Sequence, residues 1–112
     1  MWIMIAGPYT SGAKTDAEKQ QNLDRMNRAA YALLRRGHTP IIGVNMALPV
    51  IQANGGAEVY DEVMMPLSLT LTERCDAVLR IGGASQGADD EVARFRQAGK
   101  PVYTALDQVP AP

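Results

Sequence analysis

Glu91 is the residue whose type and setting point most directly to chemistry. It closes the run Gly82-Gly83-Ala84-Ser85-Gln86-Gly87-Ala88-Asp89-Asp90-Glu91. A carboxylate can serve as acid, base or nucleophile, and it suits attack at a carbon where positive charge develops. The glycine-rich opening of the run brings backbone N–H groups to the start of a helix, a natural place for an anion. Ser85 there either caps the helix or donates to an anionic oxygen, and a plain N-cap is the simpler role. Asp89 and Asp90 also have a simple role, since acids in a first helical turn complement the dipole. The run lacks the Gly-Lys-Ser/Thr ending of a phosphate-binding loop. A dinucleotide fingerprint would have to follow the first strand, where Gly7-Pro8-Tyr9 stands instead.

The elements that must position these residues are legible from periodicity and punctuation. Trp2 to Ala6 is a short apolar run of the kind buried on both faces of a parallel sheet. Gly7-Pro8 stops it, and a loop runs to residue 15. Thr15 or Asp16 can cap a helix extending to Arg36, with Leu23, Met26, Ala30, Leu33 and Leu34 on its inner face. Gly37 supplies the usual C-terminal stop. Thr39 to Val44 reads as a second strand. Residues 45 to 56 read as a long apolar loop, expected to cover a pocket or to bury against another subunit. A helix follows with Val59, Val63, Leu67 and Leu71 at four-residue steps, and Pro66 predicts a kink or a fresh start within it. Asp76 to Ile81 is the third strand, Ser85 to Ala98 the third helix, and Pro101 to Thr104 a short fourth strand.

This alternation predicts an α/β domain of three layers, flavodoxin-like or Rossmann-like, with a four-stranded parallel sheet in the order 2-1-3-4. Residues 1–106 form the domain, and 107–112, with two prolines, are expected to fray. In such a sheet the strand order reverses between strands 1 and 3, and ligands bind at their carboxyl ends. The predicted site is therefore where Gly7-Pro8-Tyr9 meets Ser85–Glu91.

The bulk properties narrow the function classes. The chain has 112 residues, 46% of them hydrophobic, with 11 basic and 12 acidic side chains. A near-neutral, mixed charge offers no basic stripe for a nucleic-acid polymer. A single cysteine, Cys75, excludes a disulfide scaffold and a multi-cysteine metal site. No apolar run reaches the roughly 20 residues of a membrane span. The expectation is a soluble protein of a reducing, cytoplasmic compartment, with no metal and no organic cofactor. His38 reads as a surface or hydrogen-bonded histidine rather than a ligand, Met64 and Met65 as gap fillers, and the arginines of the first and third helices as mostly solvated.

The opening Ile3-Met4-Ile5-Ala6-Gly7-Pro8-Tyr9, then Cys75-Asp76-Ala77-Val78, then Ser85-x-Gly87-Ala88-x-x-Glu91 resemble the nucleoside 2-deoxyribosyltransferase-like superfamily. The nearest likeness is to a branch of small bacterial and phage proteins related to deoxynucleotide N-glycosidases, and it spans essentially the whole chain. The resemblance implies that Glu91 attacks C1′ of a deoxyribose, forming a glycosyl-enzyme that water or a second base resolves. It implies that Gly7, Pro8, Tyr9, Ser85 and Gly87 contact the substrate, with Ser85 holding a 5′-phosphate. It also implies a homo-oligomer, dimer or tetramer. One position departs from the pattern. The acid usual in the second helix is replaced by Ser68, which leaves Asp61 and Glu62 as auxiliary acids to be tested. The substrate class is thus a deoxyribonucleoside or its 5′-monophosphate. The departure at Ser68 keeps a second reading open, a non-catalytic nucleotide-binding or sensing protein. The apolar segment at 45 to 56 keeps a third, a structural or interaction protein.

Overall fold

The computed structural model describes residues 1–112. The order of elements is β1 (Trp2–Ala6), α1 (Asp16–Arg35), β2 (Thr39–Ile41), α2 (Gly43–Ala53), α3 (Tyr60–Thr72), β3 (Ala77–Arg80), α4 (Gln86–Gln97) and β4 (Val102–Tyr103). The sheet is parallel throughout, in the order β2-β1-β3-β4. The predicted three-layer α/β architecture and strand order are those observed.

The two central strands are buried on both faces, and each face has its own core. Ile3, Ile5, Ala77 and Leu79 point to one side, where Leu23, Met26 and Leu33 of α1 cover them. Met4, Ala6 and Val78 point to the other, against Ala88, Val92 and Phe95 of α4. The period of two in the strands and the period near 3.6 in the helices set this division. Leu34 departs from the predicted inner face: it is 58% exposed. It follows Leu33 directly, and one residue turns a helix by about 100°, so only one of the pair can face the sheet.

Thr15 caps α1 by accepting from the Glu18 N–H at 3.1 Å. Ser85 caps α4 by accepting from the Ala88 N–H at 3.2 Å. Pro66 lies inside α3, which runs continuously from Tyr60 to Thr72, so no new helix starts there. It sits on the exposed side, where the carbonyl it leaves unbonded can be hydrated. The expected loop at 45 to 56 is mostly helix. α2 begins at Gly43, so β2 stops short of the predicted Val44. Ala47 and Ile51, one turn apart, pack on Met64 of α3 with Leu48 beside them, while Met46 and Val50 stay exposed. Pro49 rides on the exposed face of α2.

Residues 107–112 do not fray. Val109 is buried in the α1-side core. Arg36 donates to the Leu106 and Val109 carbonyls at 2.8 and 3.2 Å. His38 bonds the Pro110 carbonyl at 2.7 Å. One apolar anchor and three hydrogen bonds outweigh the chain-ending tendency read from the prolines.

Candidate functional site

β1 and β3 run side by side and end together, with Ala6 paired to Arg80. Beyond them the chain opens a cavity of about 180 Å³. Its walls come from four directions. Gly7, Tyr9, Thr10 and Ser11 follow β1; Ile42, Gly43 and Val44 bring the start of α2; Tyr60, Met64, Met65 and Ser68 form a stripe on α3; Ser85, Gly87, Ala88 and Glu91 come from the start of α4.

Glu91 is only 8% exposed, and that surface opens on the cavity. Its carboxyl forms no ion pair or hydrogen bond with the protein. Burial pushes its pKa up from the ordinary value to about 7, opposed by Arg80 and reinforced by Asp90. Desolvation wins because Arg80 is engaged elsewhere: it donates to the Ile81 and Gly83 carbonyls at 2.6 and 2.9 Å and pairs with Asp89 at 3.3 Å. Those bonds also tie the loop after β3 to the first turns of α4. The start of α4 thus carries a cap at Ser85 and, in its second turn, a carboxyl about half ionised at pH 7.

Two glycines let these walls meet. A side chain at Gly7 would approach the Ile81 carbonyl to 2.9 Å, so Gly7 is required by the contact between the two loops. A side chain at Gly87 would lie 3.1 Å from the Met65 sulfur, so Gly87 lets α3 close over α4. The loop carrying Tyr9 is held by Asn22 of α1, whose side chain donates to the Tyr9 carbonyl at 2.8 Å. Burial raises the Tyr60 phenol pKa above the usual value, with the Thr10 side chain opposing the rise.

Gly7, Tyr9, Ser85, Gly87 and Glu91 therefore come together as the sequence predicts. Pro8 does not join them. It is buried, packs against Gly82, and borders a separate groove shared with Ser11, Gly12 and Arg25. Asp61 and Glu62 do not line the cavity; both are exposed. The cavity stripe of α3 is Tyr60, Met64 and Ser68, and residues one or two positions after Tyr60 turn away from it. Sequence reasoning missed Tyr60, Thr10 and the first turn of α2. The four-residue spacing of Tyr60, Met64 and Ser68 was the available signal. Met64 and Met65 fill gaps as expected, and the gap they border is this cavity.

Elsewhere the side chains serve the fold. His38 is 2% exposed, and both ring nitrogens are engaged, by the Met1 amino group at 2.9 Å and the Pro110 carbonyl at 2.7 Å. Cys75 is buried, and burial raises its thiol pKa to about 11, which removes thiolate reactivity near neutrality. No cluster of three or more His, Cys, Asp or Glu side chains could hold a metal ion. No helix is long and apolar enough to cross a membrane.

No known protein-family model matches the chain, and no curated protein matches it.

Proposed function

We propose that this protein acts on the N-glycosidic bond of a deoxyribonucleoside or its 5′-monophosphate, with Glu91 as nucleophile. The observation that carries the reading is Glu91 itself: a buried, unpartnered carboxyl opening on a cavity at the switch point of a parallel sheet. The superfamily resemblance supplies the reaction. A cavity of about 180 Å³ is smaller than the roughly 300–1,000 Å³ of sites for drug-sized ligands. It suits a sugar and a base edge.

In this reading ionised Glu91 attacks C1′, the C1′–N bond breaks with its electron pair on the base, and a glycosyl ester forms. Carboxylate charge beside an oxocarbenium-like centre favours that step. Water or a second base then attacks C1′ and frees the carboxylate. Ser85 and the α4 N-terminus lie where a phosphate would be held. The test is incubation with a panel of deoxynucleosides and their monophosphates, scored for free base by chromatography. Release that disappears in Glu91→Ala, with ligand binding kept, supports the reading; no release from any of them at high protein concentration sinks it.

A second reading follows from one fact. Glu91 is the sole carboxylate of the cavity lining, and Ser68 lies where a second acid would stand. A nucleotide-binding protein without turnover would need no more. Thermal stabilisation by a nucleotide without any product would favour it.

A further inference from the structure

Two features of the cavity are left without a task by attack from Glu91. The first is the opening of α2. Ile42 occupies the N-cap position, and no side chain accepts a hydrogen bond from the first turn. The Asn45 N–H donates to the Ile42 carbonyl at 3.1 Å; an α-helix supplies no acceptor of its own for the N–H groups before it, and that end carries partial positive charge. Ile42, Gly43 and Val44 line the cavity, so this uncapped end borders the ligand space. The second is Ser68. It is 3% exposed, lines the same cavity, and its hydroxyl bonds to no other group of the protein. It lies flush against Gly43: any side chain at 43 would collide with the Ser68 hydroxyl. A buried hydroxyl and an uncapped helix end are thus pressed together on one wall. No fully buried side-chain polar atom lacks a partner, so the unbonded Ser68 hydroxyl is open to the cavity, and this wall favours a ligand that brings an acceptor.

We propose that Ser68 and the first turn of α2 form a subsite for the ring carbonyl of an oxo-bearing nucleobase, and that the subsite holds the negative charge of that base as it departs. The proposal rests on the glycosidic reading above and adds the substrate class to it. When Glu91 forms its bond to C1′, the C1′–N bond breaks and both electrons stay on the base. In a 6-oxopurine or 4-oxopyrimidine the resulting charge spreads from the ring nitrogen to the carbonyl oxygen. Donors fixed at that oxygen stabilise the charge as it develops. The base anion then takes a proton from water, and the hydroxide formed attacks C1′ and releases the Glu91 carboxylate. No second protein acid is used, which fits a serine at position 68. An amino base presents N–H donors at the same edge and would set donor against donor.

The experiment compares hypoxanthine with adenine, and uracil with cytosine, in two measurements. One is kcat/KM for the four deoxynucleoside 5′-monophosphates. The other is binding of the free bases to the wild-type protein by NMR titration, which needs no turnover. The oxo member of each pair is expected to lead by roughly 10- to 100-fold, the worth of one mismatched buried hydrogen bond. Ser68→Ala is expected to bring that ratio down several-fold in both measurements while circular dichroism stays unchanged. Equal or reversed preference, failure of the free bases to bind, or a preference untouched by Ser68→Ala overturns the subsite. Turnover without the preference would leave the glycosidic reading standing. Oxo-selective binding without turnover would keep the subsite and remove the reaction.

Discussion

The two ends of the central strands treat polar groups in opposite ways. At the amino end they bond to one another. The Trp2 N–H donates to Asp76 at 2.8 Å, and the Asp76 N–H returns a bond to the Trp2 carbonyl at 2.8 Å. Both nitrogens of His38 are engaged. Lys100 donates to the carbonyls of Thr72, Glu73 and Cys75 at 3.2, 3.2 and 2.8 Å, closing the end of α3. At the carboxyl end the Glu91 and Ser68 side chains bond to no protein group and open on the cavity. The first end is closed by its own bonds; the second leaves polar groups to a ligand or water. The contrast locates the site independently of any motif.

Replacing Glu91 should give the largest effect, and with opposite signs in activity and stability. Glu91→Gln is expected to lower base release by roughly 10³-fold or more. In the wild type, release should rise with pH through about 7, as the carboxyl ionises. Stability moves the other way. The folded-state pKa is raised, so between the unfolded value near 4.5 and the folded value near 7 the unfolded chain loses its proton first, and stability falls as pH rises. The shift corresponds to about 3 kcal/mol. Glu91→Gln should therefore gain stability over wild type at pH 8 and little at pH 4, read from urea midpoints. Equal effects at both pH values would mean that the carboxyl is not desolvated.

The same exercise at the amino end should cost stability and spare ligand binding. Lys100→Met removes a charged donor shared by three carbonyls and leaves them without it. A loss of roughly 1.5–3 kcal/mol is expected. Nucleotide-induced thermal shifts, measured from the lowered baseline, should not change. A binding defect of the same size would break the division between the two ends.

How much of this was legible in the chain depends on how local the cause was. The strand order and the meeting of Tyr9 with Glu91 followed from alternation and handedness, which are general rules. α2 was read as a loop because it lacks the usual signs: no side chain caps it, Pro49 lies inside it, and Met46 and Val50 leave no polar face. Its helicity comes from packing on α3, which sequence does not display. Asp61 and Glu62 were singled out by type alone; the helical phase set by Tyr60 turns them outward. The tail is held because Val109 reaches a core built by residues from Ile3 to Leu79, all distant in sequence. Ser68 could be flagged as an unusual serine, but its isolation depends on Gly43, and only the fold brings those two together.

Ser85 allows the cap and the ligand roles to be separated at a smaller scale. Ser85→Ala loses the bond from the Ala88 N–H and should cost about 1 kcal/mol. Ser85→Asp restores an accepting cap and with it most of the stability. It also places a negative charge where a phosphate would lie, so affinity for monophosphates should fall while affinity for free nucleosides holds. If both ligand classes respond alike, Ser85 caps α4 and does nothing more.

The smallest effect should arise at Asn22, and it tests whether the site is preorganised. The loop from Gly7 to Lys14 has little internal support; its one backbone bond runs from the Ala13 N–H to the Thr10 carbonyl. Asn22 supplies the tether, donating to the Tyr9 carbonyl at 2.8 Å, while Arg25 donates to its side-chain oxygen at 3.3 Å. Asn22→Ala should lower stability by only about 0.5–1 kcal/mol, since one hydrogen bond on a part-exposed loop is lost. Amide exchange should nevertheless quicken at residues 9–13 and not at His38 or Lys100. Asn22→Asp keeps the acceptor for Arg25 and removes the donor to Tyr9, so it should reproduce the faster exchange. If Asn22→Asp behaves as wild type, the tether runs through Arg25, and Tyr9 is held by its packing against α1 and α3 instead.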